Sequence, residues 1–426
     1  MRQKLIQEVM FIFFIFVFSI VKSEEPKIKL IKIKEFSSYE EYERWKGKVK
    51  KPPRIIVDKG VIKFYDSKGR VIKEKRYRYM SEDDWKKVYE EYERSGEDIK
   101  SMQVYSEYAK VLPNDKGVLL IKTTTYYGRD DAVYEIYDDE GKIKGEIKVV
   151  DDEFIYPAPD ASYFIGIKED VDWVDNVFRV YDGNGKLIFN EKVYDFYGND
   201  CQIIFSDDSR YAVISIVEWT KKYGSGIIVY DRNNNKVWKV FNKEWEMISE
   251  SGVVLSSTKG IILGTNKGVY RFSFDGKQIW YNEETKANYE DKEKVGSVSI
   301  LSISSDEKDI VGYAWPGIIY VIDVENGDLI KRILLPNHIR YKGGEVQIIN
   351  RYNYFLYKSR GFFELTPKYE EIKYYMTAYL MDKKDNFLWK VENADVSINA
   401  ELTENEELLV KDKEKIYLYK IQEEKR

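Results

Sequence analysis

Residues 203–215 read IIFSDDSRYAVIS: two adjacent aspartates, Asp207 and Asp208, flanked by serines and set between apolar runs. Such a pair is either an acid–base couple or the polar tip of a hairpin, and repetition along the chain decides between the two. The octet SDDSRYAV (206–213) belongs to a set that also holds LPNDKGVL (112–119), APDASYFI (158–165), LSSTKGII (255–262), SSDEKDIV (304–311), INRYNYFL (349–356) and LTENEELL (402–409). Their starts lie 46, 48, 49, 49, 45 and 53 residues apart, a period that marks a repeat architecture. Each octet is a polar turn followed by an apolar strand. Asp, Asn and Ser serve such turns because their side chains bond to nearby backbone and tolerate unusual dihedrals. Asp207 and Asp208 are therefore read as turn residues.

A second hairpin lies between successive octets: FYDSKGRVI (64–72), IYDDEGKIK (136–144), VYDGNGKLI (180–188), VYDRNNNKVW (229–238), SFDGKQIW (273–280), VIDVENGDLI (321–330) and LMDKKDNFLW (380–389). An aspartate opens the turn, Gly or Asn supplies a positive φ, and Lys is solvated at the edge. Two hairpins per repeat make a four-stranded antiparallel unit, and seven such units predict an all-β, seven-bladed β-propeller over 55–421. Only one strand, KIYLYKI (415–421), follows the last octet, while a hairpin of the second type (61–76) precedes the first. The expectation is that this N-terminal hairpin supplies the outer part of the last blade and hides the sheet edges. That scheme leaves one strand over.

The organisation resembles the WD40-like, TolB-like and quinoprotein-like (PQQ-type) β-propeller repeats. APDASYF and SDDSRYA are similar to the Ser-Pro-Asp-Gly-Lys-Tyr turn of that superfamily, and YDRNNNKVW is similar to its Asp-x-x-x-Gly-Lys-x-x-Trp blade motif. The Gly-His and Trp-Asp dipeptides of true WD40 repeats are absent. The resemblance implies fold more than function.

Composition removes much chemistry. With one cysteine (Cys201) and one histidine (His338), an intrachain disulfide, a CxxC site and a two-histidine metal site are all excluded. Lys+Arg 69 against Asp+Glu 74 gives a net charge of −5 and no global field for nucleic acid. The basic run KGKVKKPPR (46–54) reads as a solvated linker. Abundant Lys and Glu with scarce His and Cys match the bias of thermophile proteins.

Residues 1–23 read as a signal peptide. A positive start (MRQK) precedes the apolar run VMFIFFIFVFSIV (9–21), too short for a bilayer span of roughly 20 residues. Glu8 and a flank that is not Ala-x-Ala keep an uncleaved anchor open; in that case membrane contact runs through 9–21 alone. Either way the chain is expected to be secreted or exposed in the cell envelope. Residues 24–54 form an arm and linker. Within it, KIKLIKIKEF (27–36) alternates like a strand with one solvated face, and SSYEEYERWKGK (37–48) reads as a helix. A second helical insert is SEDDWKKVYEEYERSG (81–96). Each helix opens on a Ser-x-x-acid cap, and their spaced Tyr and Trp read as docking stripes.

If each blade runs A-B-C-D, the A–B and C–D turns emerge on one face and the B–C and D–A connections on the other. The second set is less repetitive and richer in aromatics beside charges. Candidate ligand-binding residues there are Tyr126, Tyr127, Arg129, Asp172, Trp173, Asp175, Glu218, Trp219, Trp315 and His338. Loops on a rigid ring suit recognition of a protein, peptide or glycan. Equally, each Trp could simply cover the end of its own blade.

SFDGKQIW resembles the sialidase Asp-box with its glycine one position early, at Gly276. That box is structural even in sialidases. No P-loop or GxSxG elbow appears, and no catalytic residue, metal or cofactor is assigned. Two functions stay open. One is an exported, non-catalytic propeller that binds a macromolecule through the aromatic face. The other is an exported hydrolase of glycans or peptides, with carboxylates such as Asp172, Asp175 and Glu218 at the channel mouth.

Overall fold

A computed structural model describes residues 28–46, 54–95, 103–126, 129–149, 153–168, 176–193, 201–216, 224–245, 252–288, 295–335 (without 316), 344–364, 372–395 (without 385) and 398–423 (without 414). Segment 1–23, expected from the sequence to be a signal peptide, lies outside them.

The strands form eight separate antiparallel sheets, taken in chain order. Blade 1 is β2 (Ile55–Asp58), β3 (Val61–Tyr65) and β4 (Val71–Arg76). Blades 2 to 7 are β5–β8 (103–149), β9–β12 (153–193), β13–β16 (201–242), β17–β20 (253–282), β21–β24 (298–334) and β25–β28 (344–395). Blade 8 is β29 (Ile398–Leu402), β30 (Glu407–Asp412) and β31 (Lys415–Glu423), with β1 (Ile28–Phe36) as its fourth strand. The fold is thus an eight-bladed propeller, not the seven-bladed one expected from the repeats.

The correction comes from β1. It pairs antiparallel with β31, from Ile28 opposite Glu423 to Phe36 opposite Ile416. The hairpin at 61–76 does not join the last blade; β3 and β4 pair with β2 in a sheet of their own. Seven octets and seven Asp-turn hairpins are spread over eight blades, because blade 8 lacks its own second hairpin and blade 1 lacks an octet. The outer position of blade 8 is taken by β1, from the segment 24–54 that the sequence reads as an arm outside the propeller.

Blade cores follow from two-sided burial. In blade 4 the middle strands β14 (Tyr211–Ile216) and β15 (Ser225–Asp231) are buried at every residue, whereas the outer β16 (Lys236–Asn242) has no buried residue. Such middle strands therefore read as continuous apolar runs such as YAVISI. Seven buried clusters bridge successive blades, from blades 1 and 2 to blades 7 and 8. Among the described residues no cluster joins blade 8 to blade 1. Instead the far side of blade 8 is covered by helix α1 (Tyr39–Trp45), whose Tyr42 packs with Phe36, Leu409, Ile416 and Leu418.

Both helices start as expected. Ser38 Oγ accepts the Glu41 N–H at 3.2 Å, and Glu41 Oε2 accepts the Ser37 N–H at 2.8 Å. In α2 (Glu82–Ser95), Ser81 and Asp84 exchange the same two bonds at 3.2 and 3.0 Å, a reciprocal cap.

Candidate functional site

Several aspartates of the turn face are held in backbone hydrogen bonds. In the octet of blade 4, Asp208 Oδ1 accepts from Ser206 Oγ at 2.6 Å and from the Arg210 N–H at 3.0 Å. The Ser209 N–H closes the turn on Ser206 O at 2.8 Å, with Ser209 at φ 56°. These donors, the Ser206 hydroxyl first, hold the Asp208 carboxyl below its ordinary pKa. Asp207 is exposed beside it. The pair is a turn.

The C–D aspartates repeat one arrangement. Asp66 Oδ1 accepts the N–H groups of Lys68 and Arg70, and Asp138 Oδ1 those of Glu140 and Lys142. Asp182 does the same for Asn184 and Lys186, and Asp382 for Lys384 and Asn386. An Asp is needed there because an acceptor one carbon from the backbone reaches both N–H groups of the tight turn.

Two residues past these turns, the outer strand sends a side chain into the next blade. Trp238 Nε1 donates to Phe274 O, and Trp280 Nε1 donates to Val324 O, both at 2.8 Å. At the equivalent place in blade 1, Lys73 Nζ donates to Gly141 O at 2.6 Å. The tryptophans of the Asp-x-x-x-Gly-Lys-x-x-Trp resemblance are accordingly inter-blade fasteners.

The opposite, loop face carries the residues singled out from the sequence. Tyr126 ends β6 (Val118–Tyr126) and Arg129 begins β7 (Arg129–Tyr137), and the two pair across the B–C connection of blade 2. Trp315 follows β22 (Asp309–Ala314) in the B–C turn of blade 6 and is 53% exposed. Its backbone is fixed: Trp315 O accepts the Gly296 N–H at 2.7 Å, and the Gly317 N–H bonds to Ala314 O at 3.1 Å. Leu334, at the end of the outer strand of the same blade, is 56% exposed. Tyr127, Asp172, Trp173, Asp175, Glu218, Trp219 and His338 lie outside the described residues, so the grouping of Trp173, Trp219 and Trp315 rests on sequence order alone.

A buried polar cluster at the start of blade 3 was not legible in the sequence. Glu153 opens β9 (Glu153–Pro157) with its side chain fully enclosed, and Arg179 Nη1 pairs with its Oε2. Tyr181 Oη donates to Glu153 Oε1 at 2.9 Å, and Tyr134 Oη donates to its main-chain oxygen at 3.3 Å. Burial pushes the Tyr134 and Tyr181 phenols far up, with Glu153 adding to the rise in each. Gly166 makes room for the carboxylate, since a Cβ there would stand 2.2 Å from Oε1. The only sequence trace is a glycine inside the apolar strand YFIGIK.

No protein-family model matches the chain, and no curated protein matches it. Solved structures do. It is similar to BamB from Moraxella catarrhalis, at 10% identity over 93% of this chain and 99% of that one, with a TM-score of 0.41. It is also similar to the Cps50 (Swd1) β-propeller domain of Myceliophteria thermophila, at 8% identity over 75% and 98% with a TM-score of 0.37. A third is the dihydro-heme d1 dehydrogenase NirN, at 12% identity over 87% and 75% with a TM-score of 0.39. The sheet order and the strand pairing of β1 with β31 give the chain itself the fold of a β-propeller.

Proposed function

We propose that this chain is an exported, non-catalytic propeller that binds a macromolecular partner, a protein or a glycan, through its loop face. The observation that carries the reading is Trp315. Trp280 and Trp245 are buried at 8% and 4% exposure, and Trp238 is partly covered, yet Trp315 stands half in water on a hydrogen-bonded turn. A large apolar side chain left half in solvent on a fixed turn has area to bury against a partner, the usual profile of an interface anchor. Leu334 beside the same face adds apolar surface. Asp208 and Asp182 on the turn face, by contrast, are tied up in their own turns. The signal-like segment 1–23 supports a site of action outside the cytoplasm.

The test is pull-down of partners from an envelope extract with the wild type and with Trp173→Ala, Trp219→Ala and Trp315→Ala combined. A specific partner retained by the wild type and lost by the folded triple variant supports the reading. Equal capture by both, or hydrolysis of a glycan or peptide by the wild type, overturns it.

A further inference from the structure

The first strand of each four-stranded blade lines the central channel, where it meets the first strands of its neighbours, as β21 meets β17 and β25. Exposed aromatic side chains are gathered on one part of that wall. Tyr105 and Tyr108 on β5 (Gln103–Val111) are 38% and 47% exposed, and Phe154 on β9 is 50% exposed. Among the described residues, the first strands of blades 4 to 8 expose no large apolar side chain. Tyr134 borders both β5 and β9: its hydroxyl donates to Glu153 O at the start of β9, and burial, then Tyr108, push its phenol up. Tyr108 and Phe154 therefore stand near the same level of the channel.

The main chain of β5 is open toward the channel. Leu112 N–H bonds to Gly117 O, so the ladder to β6 runs through Lys110, Tyr108 and Ser106. The main-chain groups of Ala109, Glu107 and Tyr105 point the other way. The chain itself uses one of them: Glu107 N–H donates to Arg78 O at 3.0 Å, and Arg78 N–H donates back to Glu107 Oε2 at 2.5 Å. Ala109 N–H and C=O have no partner among the described residues. β5 is also the longest first strand, nine residues against three to seven in blades 3 to 8. Beside this edge the Arg78 side chain is exposed, its guanidinium 5.7 Å from the Tyr105 ring centroid, with no ion pair or side-chain hydrogen bond among the described residues. The Glu107 carboxylate is committed, since Tyr105 Oη donates to Oε1 and Arg78 N–H to Oε2.

We propose that this side of the channel binds an extended peptide segment, which adds a strand to the open edge of β5 and places an acidic side chain on Arg78. An apolar side chain of the same segment lies against Tyr108 and Phe154. Main-chain pairing supplies affinity in such strand addition, and the flanking side chains supply selection. The occupant is a peptide rather than a glycan because Ala109 offers a donor and an acceptor with the spacing of a β ladder, which a polypeptide edge matches on both counts. It carries an acid because the charged group left uncommitted beside that edge is a guanidinium. The site is separate from Trp315 of blade 6 and does not depend on it.

The test selects a displayed library of random heptapeptides on the immobilised full chain and measures the enriched peptides by fluorescence anisotropy. They are expected to share an acidic residue near an apolar one and to bind saturably. Arg78→Gln should weaken them about tenfold or more, the worth of a hydrogen bond to a charged group, and Phe154→Ala several-fold. Both side chains are exposed, and a thermal melt checks the folding of each variant. N-methylation of alternate peptide residues should abolish binding, while methylation of the intervening ones leaves it, the mark of a strand paired along one edge. Selection of no saturably binding peptide, affinity unchanged in both variants, or a uniform response to N-methylation overturns the proposal. Saturable binding of maltohexaose that is lost in Phe154→Ala, with no peptide selected, overturns it in favour of a glycan.

Discussion

Trp280 of blade 5 donates its indole N–H to the carbonyl of Val324 in blade 6 across 2.8 Å, and Gly327 of the same turn lies against its ring. The pair couples an outer strand to the next blade's hairpin by one directional bond and by close packing. Gly327 has φ 79°, and a Cβ there would stand 2.6 Å from the indole. Trp280→Ala should therefore cost about 3–5 kcal/mol, as truncation of a buried aromatic does. Trp280→Phe should cost less, since it loses the hydrogen bond but keeps most of the packing. Gly327→Ala should destabilise although it only adds a methyl group. Urea unfolding of the three variants ranks them. Trp315→Ala, on the solvated turn, should stay within about 0.5 kcal/mol of wild type.

Closure of blade 8 makes a second prediction. Residues 28–36 add the outer strand through eight Cα partner pairs with β31, and Phe36 at 1% exposure fills the space between β31 and α1. Phe36→Ala should lower stability by about 3–5 kcal/mol. Ile31→Ala and Ile33→Ala should change it little, because both side chains are exposed on the solvated face of β1. Deleting residues 1–36 should lower the melting temperature far more than any of these. A truncated chain that melts like the full-length one would show β1 to be dispensable.

How far the sequence could be read follows from these same elements. The octet and Asp-turn hairpins are legible because their chemistry is local: Asp208 and Ser206 lie two residues apart and satisfy each other and their own turn. Blade number is not local. β1 and β31 are separated by nearly the whole chain, and nothing in IKLIKIKEF says which distant edge it will cover; its alternation shows only that one face is wet. The hairpin at 61–76 looked like the closing piece because its turn matches the others, but it carries β2 ahead of it and so makes a blade of its own. Trp238 and Trp280 were legible as part of a motif, but their partners, the carbonyls of Phe274 and Val324, are main-chain atoms of another repeat. On the loop face, Trp315 was recognisable because an aromatic between two strand ends has no blade neighbour of its own.

Acid should loosen the octet turns in a defined window. The Asp208 carboxyl is lowered from its ordinary value by the Ser206 hydroxyl and by the Arg210 N–H. Its folded pKa is below its unfolded one, so its contribution is present above the unfolded value of about 3.9 and is lost as pH falls through the folded value. The carboxyl is close to solvent, which keeps the effect small, below about 1 kcal/mol. Asp208→Asn keeps an acceptor for the same donors but removes the titration. The variant should therefore lose less stability than wild type between pH 5 and pH 2 and be slightly less stable at pH 7. Guanidinium unfolding of both proteins across that range checks the sign.

The Glu153 cluster gives the sharpest test of what holds the base of the loop face. Glu153 is enclosed, Arg179 is a quarter exposed, and the Tyr181 hydroxyl fills a further lone pair of the carboxylate. Removing one partner of such a pair leaves the other charge without compensation, at a cost of about 3–5 kcal/mol. Glu153→Gln preserves shape and one acceptor but strands the Arg179 guanidinium, so most of that cost should remain. Arg179→Met should be as damaging alone, because it strands the carboxylate. The double variant Glu153→Gln, Arg179→Met removes both charges and should recover part of the loss. A double-mutant cycle by urea unfolding reads the coupling directly. Because the pair is sheltered from the ionic atmosphere, the coupling should persist in 1 M salt, where an exposed pair such as Arg94 with Glu90 would be screened. Additive single and double effects would mean that the ion pair contributes no coupling. Gly166→Ala should be destabilising even with the ion pair intact, since its methyl would occupy the space of Glu153 Oε1.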